Sequence, residues 1–277
     1  MAAEPSPEVG ELAGLGELDL DGLLGVGDVG ACCATLYEHP GVRWLLGDEL
    51  HPGGEATTRR ALELVALDQG DRLLDVACGQ GASALLAVRE RDCEAVGIDR
   101  GEAALARARE TAQSEGLAGR VSFQGADAGA LPFPDASFSA LLCECSLSAF
   151  ADKARAAAEM RRVLAPGGRV AISDVVVDSV GLPQALRGPL ATIACVGDAL
   201  DAAGYARLLE SAAIAVVAVE SHDAAAARLA ERVEDRLRGA RLLGLARAGE
   251  MVELARVARR AIDEGVLGYA TFSGVRA

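Results

Sequence analysis

Basic charge is scarce in this sequence. Its 277 residues include a single lysine, Lys153, and 27 Lys and Arg face 41 Asp and Glu, for a formal net charge of −14. A nucleic-acid backbone is held by clustered Lys and Arg, so this balance argues against such a partner. Arginine in place of lysine reads as the mark of a GC-rich genome rather than of a function. Aromatic side chains make up only 3% of the chain. Long apolar runs are missing too. The longest stretch without a charged residue, Val76 to Val88, falls well short of the roughly 20 apolar residues of a membrane-spanning helix. Glu4 and Glu8 stand where an export signal would carry positive charge, and no apolar segment follows them. A cytoplasmic, reducing setting is therefore expected, and there seven cysteines do not make a disulfide framework.

Half of the chain, 51%, is hydrophobic, and its length is enough for one large domain with a buried core. Residues 1–54 read as an acidic, Gly- and Leu-rich lead-in and cap, with a short helix near Leu18–Leu24. Residues 55–221 alternate in pattern. Helical spacing is expected at Glu55–Leu67, Ala82–Arg91, Gly101–Glu115, Ala151–Leu164 and Leu200–Glu210. Short apolar runs at Arg72–Ala77, Glu94–Ile98, Val121–Gln124, Ser137–Glu144, Arg169–Val175 and Ala213–Val219 read as strands. The 222–277 segment reads as two amphipathic helices, His222–Gly239 and Gly249–Glu264, and a last strand, Gly268–Ser273. Alternating strands and helices imply a mostly parallel sheet with helices on both faces, here with a C-terminal helical cover.

The central signal is Leu73-Leu74-Asp75-Val76-Ala77-Cys78-Gly79-Gln80-Gly81. Glycines between a strand and a helix let a ligand approach the backbone. With Ala84 the loop also fits the dinucleotide fingerprint, which is weak on its own. Asp75 sits at the strand end, where a pyrophosphate would be repelled and a cationic ligand would not. Asp99 ends the second strand, where an acidic group can accept ribose hydroxyls. Asp127-Ala128 precedes Leu131-Pro132-Phe133.

Together these residues resemble the class I S-adenosylmethionine-dependent methyltransferases over about Arg59 to Val175. Leu131-Pro132-Phe133-Pro134-Asp135 and Val163-Leu164-Ala165-Pro166-Gly167-Gly168 match further signatures of that family. The resemblance implies a Rossmann-like, doubly wound, seven-stranded α/β fold and S-adenosyl-L-methionine as cofactor. It places cofactor contacts on Asp75, Ala77, Gly79 and Gly81 in the first motif. It places others on Asp99 for the ribose, on Asp127 and Ala128 for the adenine, and on Arg100 and on Glu144 at the end of the fourth strand. An NAD-binding domain is the competing reading of the glycine loop. It has no use for the later motifs.

The acceptor is less plainly written. His39, His51 and His222 fall in no strong motif, although His39 and His51 flank a Pro- and Gly-bearing segment. Cys143 and Cys145 straddle the end of the fourth strand, where alternation would put both on one face. Cys32-Cys33 lies in the lead-in and Cys195 beyond the fifth strand. The spacing is not that of a zinc site. Cys145-Ser146-Leu147-Ser148-Ala149-Phe150-Ala151-Asp152-Lys153 resembles a segment of the arsenite methyltransferases. So do Ser173-Asp174, Cys195-Val196-Gly197-Asp198-Ala199-Leu200 and Ala31-Cys32-Cys33. That resemblance would make Cys33 or Cys32, Cys145 and Cys195 arsenic ligands at the reaction centre. It departs at Glu144, where the family has a small or amide residue, and at the additional Cys143. Cys78 and Cys93 read as packing residues. Three functions are thus carried forward: methylation of thiolate-bound trivalent arsenic, methylation of an organic small molecule with the cysteines structural, and cofactor binding without catalysis. The partner is in each case a small molecule or metalloid. The oligomeric state is not legible.

Overall fold

The computed structural model describes residues 40–47, 50–187, 195–242 and 248–277. The helix expected near Leu18–Leu24 and the Cys32-Cys33 pair lie outside these residues, as does His39. Seven strands form one sheet: β1 (Arg72–Val76), β2 (Glu94–Asp99), β3 (Val121–Gly125), β4 (Phe138–Glu144), β5 (Leu164–Val177), β6 (Ile214–Ser221) and β7 (Leu267–Arg276). Their order is β3-β2-β1-β4-β5-β7-β6. All neighbouring pairs are parallel except those made by β7, which runs antiparallel to β5 and β6. The helices are α1 (Pro40–Leu46), α2 (Gly54–Val65), α3 (Ala82–Glu90), α4 (Glu102–Ser114), α5 (Lys153–Val163), α6 (Ala202–Ser211), α7 (Asp223–Leu242) and α8 (Ala248–Asp263).

Strand alternation sends side chains into two cores. Leu74, Val76, Ile98, Leu141 and Ile172 pack with Met160 of α5 and Leu209 of α6. Leu73, Ala95, Leu142 and Ala171 pack on the other face with Leu62 of α2, Leu85 of α3 and Leu105 of α4. Each fully buried leucine or isoleucine contributes roughly 1.5–3 kcal/mol by leaving water. The cover is packed rather than open. Leu237 of α7 and Val252 of α8 bury against Leu45 of α1, and Leu254 and Val257 of α8 lean on Val175, Val177 and Tyr269. Glu234 of α7 is buried and ion-paired with Arg238, Arg256 and Arg259. Arg236 donates to the Trp44 and Leu45 carbonyls at the end of α1.

One expectation is refined. Pro166-Gly167-Gly168 reads as a helix stop, and α5 does end at Val163, but the turn is a bulge inside β5. Leu164 pairs with Phe138 and Arg169 with Ala140, so five residues of β5 advance against two of β4.

Strand order fixes where a ligand can sit. The chain winds outward from β1 to β3, then returns to lay β4 on the other side of β1. That reversal opens a crevice at the carboxyl ends of β1 and β4. Because β7 is antiparallel, its first residues lie at the same end of the sheet, with Tyr269 beside Val175 and Thr271 beside Ser173.

Candidate functional site

Asp75 lies near the end of β1 and is 2% exposed. Its carboxylate accepts the Ala84 N–H in the first turn of α3 at 3.1 Å. Burial, and then the nearby Glu144 charge, push its pKa up to about 8. The chain then turns through three left-handed residues, Ala77 (φ 59°), Gly79 (φ 53°) and Gly81 (φ 77°). The two glycines do different work. A Cβ at Gly81 would stand 2.4 Å from the Phe123 ring, so only glycine lets α3 approach β3 this closely. A Cβ at Gly79 would meet nothing within 4 Å. The backbone there faces open space that a ligand can fill.

Asp99 closes this loop. One carboxylate oxygen accepts the Gly79 N–H and the other the Gly101 N–H, both at 2.8 Å. Each oxygen keeps a lone pair for a ligand donor, as a ribose diol requires. Asp127 is exposed beyond β3. Its Oδ1 accepts the Gly129 N–H at 2.7 Å, and its Oδ2 lies 4.0 Å from Arg100 Nε. Arg100 therefore stands between the two expected ribose and adenine acids. Ala128 is half-buried against the core. The residues present fit a nucleoside with a cationic tail: a carboxylate for the diol, an open glycine backbone, and further carboxyl groups, Asp75 and Asp127, at or just past the strand ends.

A second group of polar side chains adjoins the first, and sequence reasoning had not assembled it. Glu144 at the end of β4 accepts from Ser83 Oγ of α3 at 2.6 Å and from Thr58 Oγ1 of α2 at 3.1 Å. Thr58 Oγ1 is also 3.4 Å from His51 Nε2. The His51 ring stacks on Tyr269 with centroids 6.4 Å apart, and His222 approaches the same ring at 6.3 Å. His222 Nε2 lies 2.8 Å from Thr271 Oγ1, which lies 2.8 Å from Ser173 Oγ. Burial holds the His222 pKa below its ordinary value. His51 and His222 thus flank the buried Tyr269 ring, although neither sits in a motif. The only available signal was the Pro52-Gly53-Gly54 turn that follows His51.

Of the expected cysteines, Cys32 and Cys33 lie outside the described residues. Cys145 and Cys195 do meet: the Cys195 thiol lies 3.6 Å from the Cys145 carbonyl oxygen. But β4 ends at Glu144, and Cys145 turns into the left-handed region at φ 51°. Strand alternation stops there. Cys143 joins the core with Leu74 and Leu141, while Cys145 packs with Tyr269 and Val175. The two do not share a face. The hydrogen bond with Cys195, then burial, hold the Cys145 pKa well above that of a free thiol, against thiolate formation. Among the described residues no group of three or more His, Cys, Asp or Glu could hold a metal ion. Asp174 is on the opposite face from Ser173, where it accepts the Ser148 N–H at 2.8 Å.

A doubly wound sheet with an acid-clamped glycine loop at its switch point defines a nucleoside-cofactor-binding α/β protein. Residues 67–211 match the family model described as "Methyltransferase domain", and the chain belongs to that family. It is 36% identical over 184 residues to a demethylmenaquinone methyltransferase of Deinococcus radiodurans, covering 66% of this chain and 70% of that protein. It is 38% identical over 142 residues to the 27-O-demethylrifamycin SV methyltransferase of Amycolatopsis mediterranei, covering 47% and 52%. The chain spans about half the length of the first curated relatives it matches. Among solved structures, the [4+2]-cyclase SpnF superposes with a TM-score of 0.71 at 25% identity, covering 90% of this chain and 95% of that one. A geranyl diphosphate methyltransferase in complex with S-adenosylmethionine has the same fold, with a TM-score of 0.68 at 17% identity over 93% and 95%. S-adenosylmethionine is the cofactor of this family, and no described helix is long and apolar enough to cross a membrane.

Proposed function

We propose that the protein transfers a methyl group from S-adenosylmethionine to an organic small molecule, at a carbon, nitrogen or oxygen acceptor. The observation that carries this reading is the Asp99 carboxylate, bonded at 2.8 Å to both Gly79 and Gly101 beside the open face of Gly79. Bound in this crevice, the cofactor supplies an electrophilic methyl group on a sulfonium.

The chain's residues then divide into two tasks. On the donor side Asp99 accepts the ribose hydroxyls, and Asp127 with the Ala128 N–H receives the adenine edge. Arg100 steadies Asp127, Ala77 and Gly79 shape the loop, and Gly81 brings α3 against it. Asp75 lies at the amino-acid tail, and Glu144, two residues along the adjoining strand, beside the sulfonium. On the acceptor side, His51 and His222 are the groups able to take a proton from an acceptor O–H or N–H, and Tyr269 between them gives an aromatic wall. A carbon nucleophile would use the same groups for its acidic proton.

An organic acceptor is favoured over arsenic because the contact with Cys195 and burial hold Cys145 as a thiol, against the thiolate that arsenic ligation needs. The curated relatives named for their substrates act on organic ones. We place the protein in the cytoplasm.

The test is release of S-adenosylhomocysteine from the reduced protein, with 27-O-demethylrifamycin SV, a demethylmenaquinol, or arsenite plus glutathione as acceptor. Turnover with an organic acceptor, retained in Cys145→Ser and Cys195→Ser, is expected. Turnover with arsenite alone, abolished by either substitution, would overturn the organic reading.

A further inference from the structure

Glu144 has no evident structural need of its charge. Asp75 pairs with Leu142 across the β1–β4 ladder, so Glu144 lies two residues further along β4 on the same face of the sheet. Its described hydrogen-bond partners are the Ser83 and Thr58 hydroxyls, which a neutral amide oxygen could accept equally well. Among the described residues, no Lys or Arg pairs with Glu144 or Asp75. Asp99 lies close enough to add its own repulsion to Asp75. With Asp75 held largely protonated near neutral pH by burial, Glu144 and Asp99 bring the negative charge to a loop whose backbone at Gly79 is open to a ligand. An uncompensated negative field in a crevice with low-dielectric walls discriminates between ligands by their charge.

We propose that Glu144 makes this pocket select positive charge at the donor's sulfur, favouring the sulfonium substrate over the thioether product. The inference rests on the donor reading above. S-adenosylmethionine carries a sulfonium that S-adenosylhomocysteine lacks, and the two otherwise share the same amino acid, ribose and adenine. A carboxylate near the sulfur is attracted to the first and indifferent to the second. Such selection weakens product inhibition, because the product leaves a pocket that no longer attracts it.

Calorimetric titration of the full chain with S-adenosylmethionine, sinefungin and S-adenosylhomocysteine tests this. Sinefungin carries an amine, protonated at neutral pH, on the carbon that replaces sulfur. The wild type should bind both cationic ligands about tenfold more tightly than S-adenosylhomocysteine, one factor of ten being the scale of a single partly screened charge contact. Glu144→Gln keeps both hydroxyl bonds and removes the charge. It should weaken the cationic ligands about tenfold and leave S-adenosylhomocysteine within about twofold. Ser83→Ala, which removes a hydrogen bond and no charge, should leave the ratio between ligands unchanged. A Glu144→Gln variant that shifts all three ligands by one common factor, or shifts none, overturns the selection. A wild type that binds none of the three overturns the donor reading itself.

Discussion

The donor half and the acceptor half of the crevice are assembled in different ways. The donor half is local. Asp75 reaches Ala84 across 9 residues and Asp99 reaches Gly79 across 20, all within two successive strand–helix units. The acceptor half is assembled from distant parts of the chain. His222 meets Thr271 across 49 residues, and Ser173 meets Thr271 across 98. Local construction gives one solution that a family can keep while it changes substrates. Distant construction lets the acceptor wall vary with each helix inserted before β7.

If the halves are separable, a lesion in one should spare the other. The largest effect is expected from Gly81→Val. Its Cβ would collide with Phe123 at a residue with φ 77°, where the left-handed conformation alone costs roughly 1–2 kcal/mol. Binding of S-adenosylhomocysteine should be lost, with a lowered thermal midpoint. Next is Asp99→Ala, which removes a charge-assisted acceptor worth roughly 1.5–3 kcal/mol per hydrogen bond. Affinity for S-adenosylhomocysteine should fall about a hundredfold, as read by calorimetry. His51→Gln breaks the comparison from the other side. Once an acceptor is found, kcat should fall at least about tenfold, while S-adenosylhomocysteine affinity stays within about twofold.

A smaller effect concerns stability. Burial, and then the Glu144 charge, push the Asp75 pKa from an ordinary 3.8 up to about 8 in the fold, so between those pH values the folded state holds a proton that the unfolded chain gives up. Its contribution is therefore fully present below the unfolded pKa and is lost as pH rises towards 8, at up to about 1.4 kcal/mol per pKa unit. Asp75→Asn should flatten that decline, raising the thermal midpoint of the ligand-free protein at pH 8 relative to wild type while having little effect at pH 4. A midpoint unchanged at both pH values would mean that Asp75 is ionised in the fold without penalty.

What could be read from the sequence follows the same division. Strands β1 to β4 and helices α2 to α5 were expected within a few residues of their ends, because apolar periodicity and glycine stops are local. Asp75, Gly79 and Asp99 were picked out for the same reason, and the structure brings them to one loop. Tertiary pairing refines one local reading and overturns another. The Pro166-Gly167-Gly168 turn is absorbed as a bulge because β5 must re-register against β4. Cys145 leaves the strand at φ 51°, which no alternation rule anticipates. His51 and His222 fall in no motif, since their meeting at Tyr269 depends on β7 inserting antiparallel between β5 and β6.

The most direct measurement is calorimetric titration of the reduced chain, wild type and Asp99→Ala, with S-adenosylhomocysteine. Expected is one saturable site per chain in the wild type and a loss of about a hundredfold in the variant. Equal binding by both proteins, or no binding by the wild type, would contradict a donor site built on Asp99 and the glycine loop.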